Sequence, residues 1–197
     1  MDRDRVLSAP ALPVDTDRLR LRLFTKADAA WLFDLHSRPD VARFLPYDAW
    51  RADELDEKVA AKTRRTGLHE GSEGLNLAVV VRATGTLVGD VSLFWRSREH
   101  ECGEVGFVFH PDHRGHGYAT EATAAMLRIA FEDYRLHRVE ARCDARNTAS
   151  ARVMERLGMC QEAHLRSNER FKGEWTDELI FGMLEDEWPQ SPAARAR

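Results

Sequence analysis

Cysteine is scarce, and what there is comes unpaired. Cys102, Cys143 and Cys160 are an odd number at wide spacings with no C-x-x-C pair, which excludes a disulfide framework and a thiol-rich zinc site. A reduced, cytoplasmic compartment is expected, with each thiol a small buried apolar residue. No apolar stretch approaches the roughly 18 to 20 residues that a bilayer span requires. The first fourteen residues are charged and Pro-containing, without the apolar region of a signal peptide. No basic excess exists either: 29 Lys and Arg stand against 33 Asp and Glu, for a net charge of -4. That balance argues against a broad nucleic-acid face. No internal repeat is found, and neither a G-x-G-x-x-G loop nor a Gly-Lys-Ser/Thr ending occurs, so dinucleotide and P-loop sites are disfavoured.

What is present fits one large domain. The chain has 197 residues, 43% of them hydrophobic, enough for a real core. A leader over 1–14 precedes the domain over 15–188, and a disordered tail is expected from 189 to 197. Arg18-Leu19-Arg20-Leu21-Arg22-Leu23 alternates strictly, as a half-buried strand does. Thr25 and Asp28 then start a helix carrying Ala30, Trp31, Leu32 and Leu35 inward. Pro39 opens a short second helix. Residues 51–66 form a third, so charged that it reads as a solvated face. Strands follow over 75–82, 87–96 and 103–110, the first two joined by a turn at Thr84-Gly85. Pro111 ends the third, since proline cannot donate to a continuing ladder. A helix over 118–134, a strand over 138–143, a helix over 147–157 closed by Gly158, and two strands over roughly 160–170 and 175–184 complete the order. Consecutive strands followed by β-α-β predict a mixed α/β fold, its sheet mostly antiparallel with helices on both faces.

Gly115-His116-Gly117 lies between a strand and a helix start. Glycines that admit positive φ, followed by unpaired helix N–H groups, can hold an anion, and Arg114, His113 and His116 add charge when protonated. The same glycines can equally do no more than turn the chain. The change from hairpin-linked strands to a crossover helix falls here, where a ligand is expected. His110, His113 and His116 are spaced three apart, but Pro111 interrupts them and no metal is expected.

Gly103-Glu104-Val105-Gly106-Phe107-Val108-Phe109-His110-Pro111, followed by Arg114-Gly115-His116-Gly117-Tyr118-Ala119-Thr120-Glu121-Ala122, resembles the acetyl-CoA motif of GNAT N-acetyltransferases. Asn147-Thr148-Ala149-Ser150, continuing to Gly158-Met159, resembles the Asn-x-x-Ser helix of that superfamily's Rim-type branch, which acetylates ribosomal-protein N-termini among other substrates. Thr16 to Arg22 resembles its first strand. The resemblance spans roughly residues 15 to 187 and implies a GNAT fold of about seven strands. One departure is Asp112, where such loops often carry Gln or Arg.

The resemblance also implies roles. Phe107, Val108, Phe109 and His110 would line the pantetheine arm of acetyl-CoA through their backbone. His113, Arg114, Gly115, His116, Gly117, Tyr118, Ala119 and Thr120 would hold its pyrophosphate, and Asn147 would lie near the thiol. Amide formation from a thioester needs a neutral amine, a polarised carbonyl and a proton for the leaving thiolate. Ser150 would supply that proton, or else only cap its helix. Glu169, or alternatively Glu104, would act as general base, or either would be an ordinary strand carboxylate. Partners are then acetyl-CoA and an amine, either a peptide N-terminus or a small amine; a CoA-binding module without turnover is the remaining class. Homodimers are common in such enzymes, but no interface can be argued from this chain.

Overall fold

The structure, a computed structural model, describes residues 9–195. Nine strands form one sheet: β1 (Val14–Asp15), β2 (Leu19–Leu23), β3 (Thr66–Gly67), β4 (Gly74–Val81), β5 (Leu87–Ser97), β6 (Cys102–Phe109), β7 (Arg138–Asp144), β8 (Cys160–Phe171) and β9 (Glu174–Leu184). The helices are α1 (Ala29–His36), α2 (Pro39–Ala42), α3 (Leu55–Arg64), α4 (Tyr118–Arg128), α5 (Thr148–Leu157) and α6 (Pro192–Arg195). The spatial order of strands is β1-β2-β4-β5-β6-β7-β9-β8, with β3 beside β4. Every pairing is antiparallel except β6 with β7. The seven longer strands are the seven expected, and the two-residue strands are too short to carry a sequence period.

The alternation of β2 does what period two requires: Leu19 and Leu21 are fully buried while Arg18 and Arg20 are exposed. Those leucines join Val91, Leu93, Val105, Val139 and Phe181 under α4 and α5 in the main core. Burial of each such side chain contributes roughly 1.5–3 kcal/mol. A smaller cluster on the opposite face holds Phe24, Leu32, Trp50, Val59 and Ala78 under α1 and α3. These two helices cover only the β2–β5 side of that face.

Several expectations change. The tail over 189–197 is folded as far as the described residues reach: Ser191 and Ala193 are buried and α6 packs against α4 and α5. Trp188 anchors it, stacking on Phe131 and donating its indole N–H to Glu132 Oε1 at 3.0 Å. Of the leader, residues 1–8 lie outside the described residues, while Leu12 and Val14 pack on the core. Cys102 is buried as expected, but Cys160, at the start of edge strand β8, is exposed.

A further correction concerns α3, whose charges are not all solvated. Lys62 is buried, and its Nζ lies 2.5 Å from Asp90 Oδ2 on β5. His36 Nε2, at the end of α1, is 3.3 Å from the same oxygen, and Asn76 Nδ2 is 3.5 Å from the other. Burial works against the Asp90 charge, but Lys62 and His36 outweigh it and hold the carboxyl well below its usual range. Burial pushes the His36 imidazole down, against the pull of Asp90. A base whose folded pKa is depressed adds stability above its unfolded value, about 6.5, and loses it as pH falls. Stability is therefore expected to decline below about pH 6.5, before the carboxylates titrate. His36→Phe should remove this first decline in a series of urea unfolding curves. An unchanged slope would contradict the buried neutral imidazole.

Candidate active site

The parallel pair β6–β7 keeps its register for only three residues, Cys102↔Arg138, Gly103↔Val139 and Glu104↔Glu140. Beyond Glu104 the two strands part, leaving a split in the middle of the sheet. On its other edge β6 stays paired with β5 as far as Phe109. The His110 N–H donates to Val88 O at 2.9 Å. Alternation then turns Val105, Phe107 and Phe109 backbone groups toward the split and those of Gly106 and Val108 toward β5. The expected backbone lining over 107–110 thus narrows to Phe107 and Phe109. His110 is committed elsewhere: its carbonyl accepts from the His113 N–H, and its buried ring joins Asp34 Oδ2 on α1 at 3.1 Å.

Pro111 ends β6 and starts a single 3-10 turn, Pro111–His113. His110 Nδ1 caps that turn by accepting from the Asp112 N–H at 3.3 Å. Gly115 and Gly117 then take φ of 81° and 78°, and α4 begins at once. A Cβ at Gly115 would meet nothing within 4 Å, so the loop faces open space there. The backbone N–H groups of residues 115–120 have no protein acceptor among the described residues. Six successive free donors at the positive end of a helix fit a pyrophosphate.

Arg18 braces this loop, a role its place in an alternating strand did not reveal. Its Nη1 donates to His116 O at 2.9 Å and its Nε to Glu121 Oε2 at 2.7 Å, and its guanidinium lies over the Tyr118 ring. Glu121 also accepts from the Thr16 hydroxyl at 2.6 Å. Partial burial opposes the Glu121 charge, but Thr16 and Arg18 hold its pKa below the ordinary value. The carboxylate that would repel an anion is thereby neutralised locally.

Across the split, Asn147 caps α5: its Oδ1 accepts from the Ser150 N–H at 3.2 Å. The capping role belongs to Asn147, and the Ser150 hydroxyl makes no hydrogen bond among the described residues. On the face that α1 and α3 leave uncovered, Arg142 of β7 gathers carboxylates from three strands. Its Nη2 is 3.3 Å from Glu140, its Nη1 3.4 Å from Glu178 on β9, and its Nε 3.9 Å from Glu104 on β6. Arg96 lies 3.7 Å from Glu140. Burial raises the Glu104 pKa, with Arg142 pulling it back. Burial likewise raises that of Glu178, to which Glu169 and Glu104 add. The two sequence-derived base candidates therefore stand within electrostatic reach of Glu178. Nothing in the sequence marked Glu178, because the bulge in β8 that places Asn168 Nδ2 2.9 Å from it depends on tertiary pairing. Glu169 itself is exposed on the edge strand.

Among the described residues no group of three or more His, Cys, Asp or Glu is arranged to hold a metal ion, and no helix is long and apolar enough to cross a membrane.

Residues 18–160 match the family model described as the acetyltransferase (GNAT) domain. An uncharacterized N-acetyltransferase of Bacillus subtilis, YnaD, is 29% identical over 89% of this chain and 98% of its own length. A crystal structure of a GNAT-family acetyltransferase from Bacillus anthracis superposes with a TM-score of 0.78 and 30% identity, covering 88% of this chain and 99% of that one. The spermidine N(1)-acetyltransferase of Vibrio cholerae is 24% identical over 87% of this chain and 95% of its own.

Proposed function

Because this chain belongs to the GNAT family of acetyltransferases, with acetyl-CoA as co-substrate, we propose that its acceptor is a protein or peptide N-terminal α-amine, as in the Rim-type branch. The observation that carries this reading is the composition of the cleft floor. Among the ionisable groups on the face that α1 and α3 leave uncovered are Glu104, Glu140 and Glu178 with Arg96 and Arg142, with Glu169 at the edge. Carboxylates are weak bases. They suit an α-amine, with a pKa of about 7.7–8.0, of which about a tenth is neutral at pH 7; a lysine amine near 10.4 is almost wholly charged.

In this mechanism the β6 backbone beyond Glu104 and the N–H groups of residues 115–120 hold acetyl-CoA, and the amine enters over Glu104 and Glu178. The amine nitrogen attacks the thioester carbonyl, forming the C–N bond as the C–S bond breaks. Ser150 gives its hydroxyl proton to the departing thiolate, and the proton leaving the amine passes to Glu169 or Glu104, directly or through water, and from there returns to the Ser150 oxygen. No enzyme nucleophile is needed. Residues 15–188, with the packed tail, act as one domain.

A second reading, a small polycationic amine, draws on the charge of the same groups rather than their basicity: four carboxylates (Glu104, Glu140, Glu169 and Glu178) stand with two guanidiniums. Acetylation assays with Ser-initiated peptide amides against spermidine separate the two readings. Preferred turnover of peptides supports the first, and preferred turnover of spermidine moves the acceptor to the second.

Glu169→Gln is expected to lower kcat/KM by about 10²-fold, with partial recovery at high pH as the amine deprotonates unaided. Glu104→Gln and Glu178→Gln measured alongside apportion the role. If only Glu104→Gln shows alkaline rescue, the base is Glu104.

A further inference from the structure

Residues 34–48, from α1 through α2 into the loop beyond, run from one side of the split to the other. At one end Asp34 is tied to His110 at the end of β6, 3.1 Å away. Further on, Arg43 lies close enough to Asp144, the last residue of β7, to lower its pKa, after the larger effects of Arg146 on that carboxylate. Lys172, in the β8–β9 turn, donates from Nζ to Ala42 O at 2.6 Å and to Tyr47 O at 3.0 Å. The segment is thus a strap tied to the end of β6 and to the β8–β9 hairpin, on either side of the split.

From beneath, a chain of hydrogen bonds that starts at Tyr47 and passes through His36 joins the strap to the sheet. The Tyr47 hydroxyl is 3.0 Å from His36 Nδ1. His36 is fully buried, stacked on Trp50 with ring centroids 4.4 Å apart, and its carbonyl accepts from the Trp50 N–H at 2.9 Å. An ionised Asp90 can only accept, so His36 Nε2 carries the proton and donates to it. Nδ1 is then the acceptor, and Tyr47 donates. The hydrogen bonds run in one direction, from Tyr47 through His36 to Asp90, with Lys62 holding Asp90 charged. An ion pair buried at this cost stabilises little by itself, whereas it fixes geometry well.

We propose that His36 is a positioning residue for the acceptor amine: oriented by Asp90 and Lys62, it holds Tyr47 and with it the strap over the open end of the split. The inference rests on the acetyltransferase reading and adds to it a determinant of acceptor affinity outside the cleft floor. Tyr47→Phe removes one hydroxyl and leaves the ring, and His36→Phe keeps the stack on Trp50 while losing both hydrogen bonds.

Both variants are compared with wild type using a Ser-initiated tripeptide amide and spermidine as acceptor probes. Each is expected to raise the KM of the productive acceptor about tenfold, with kcat within about twofold and acetyl-CoA affinity unchanged. The double variant should be no worse than the poorer single one, because both break the same chain. Amide hydrogen exchange should accelerate over residues 41–49 and not over 115–121. Multiplying KM effects would mean that Tyr47 and His36 act separately, and an unchanged acceptor KM would mean that the relay does not position the acceptor; either overturns the proposal. Failure of the wild type to acetylate either probe would instead contradict the amine reading beneath it.

Discussion

Replacing Gly117 by tryptophan is expected to abolish measurable acetyl-CoA binding, weakening it by roughly 100-fold or more, while the protein stays folded. Two effects add. Gly117 sits at φ 78°, where an L side chain is strained by about 1–2 kcal/mol. A Cβ there would also come within 3.4 Å of Nη2 of Arg18, whose guanidinium steadies His116 through Nη1 and Glu121 through Nε. An indole at this position covers the N–H groups that begin α4. Gly115→Ala is the milder companion, since its Cβ meets nothing within 4 Å and only the φ of 81° opposes it. Calorimetric titration should rank wild type above Gly115→Ala, and Gly115→Ala well above Gly117→Trp. Equal affinity for all three would remove the pyrophosphate from residues 113–120.

Ser150→Ala is the second large effect, and it separates catalysis from binding. The Ser150 N–H is already capped by Asn147, so loss of the hydroxyl leaves the start of α5 intact. A positioned general acid contributes roughly 10²–10⁴-fold. We expect kcat to fall by about 10²-fold or more, with acetyl-CoA affinity and thermal midpoint near those of the wild type. Poorer acetyl-CoA binding with intact turnover at saturation would assign Ser150 to the cofactor rather than to the leaving thiolate.

The parts of the fold legible in the sequence were those governed by local rules. Alternation marked β2, proline the end of β6, glycine the end of α5, and two motifs the loop and the α5 start. The Asn147 cap and the positive φ at Gly115 and Gly117 are local as well. What escaped depends on partners distant in sequence. Lys62 looks like any helix lysine until Asp90 is brought beside it, 28 positions away. Arg18 reads as a solvated strand residue until Glu121 meets it across 103 positions. Glu178 gains its setting only when β7 and the β8 bulge close around it. In sequence the tail looks disordered, because a short Pro- and Ala-containing segment has no period, whereas its order comes from Trp188.

We propose transfer of acetyl from acetyl-CoA to an amine over the Glu104–Glu178 floor. The most direct measurement incubates the protein with acetyl-CoA and an amine panel, Ser-initiated peptide amides together with spermidine. It follows free CoA thiol and acetylated amine in the same samples. Equal amounts of the two are expected, dependent on amine and on Ser150, with an α-amine preferred. Thiol release without acetylated amine, or no release with every amine offered, would contradict it.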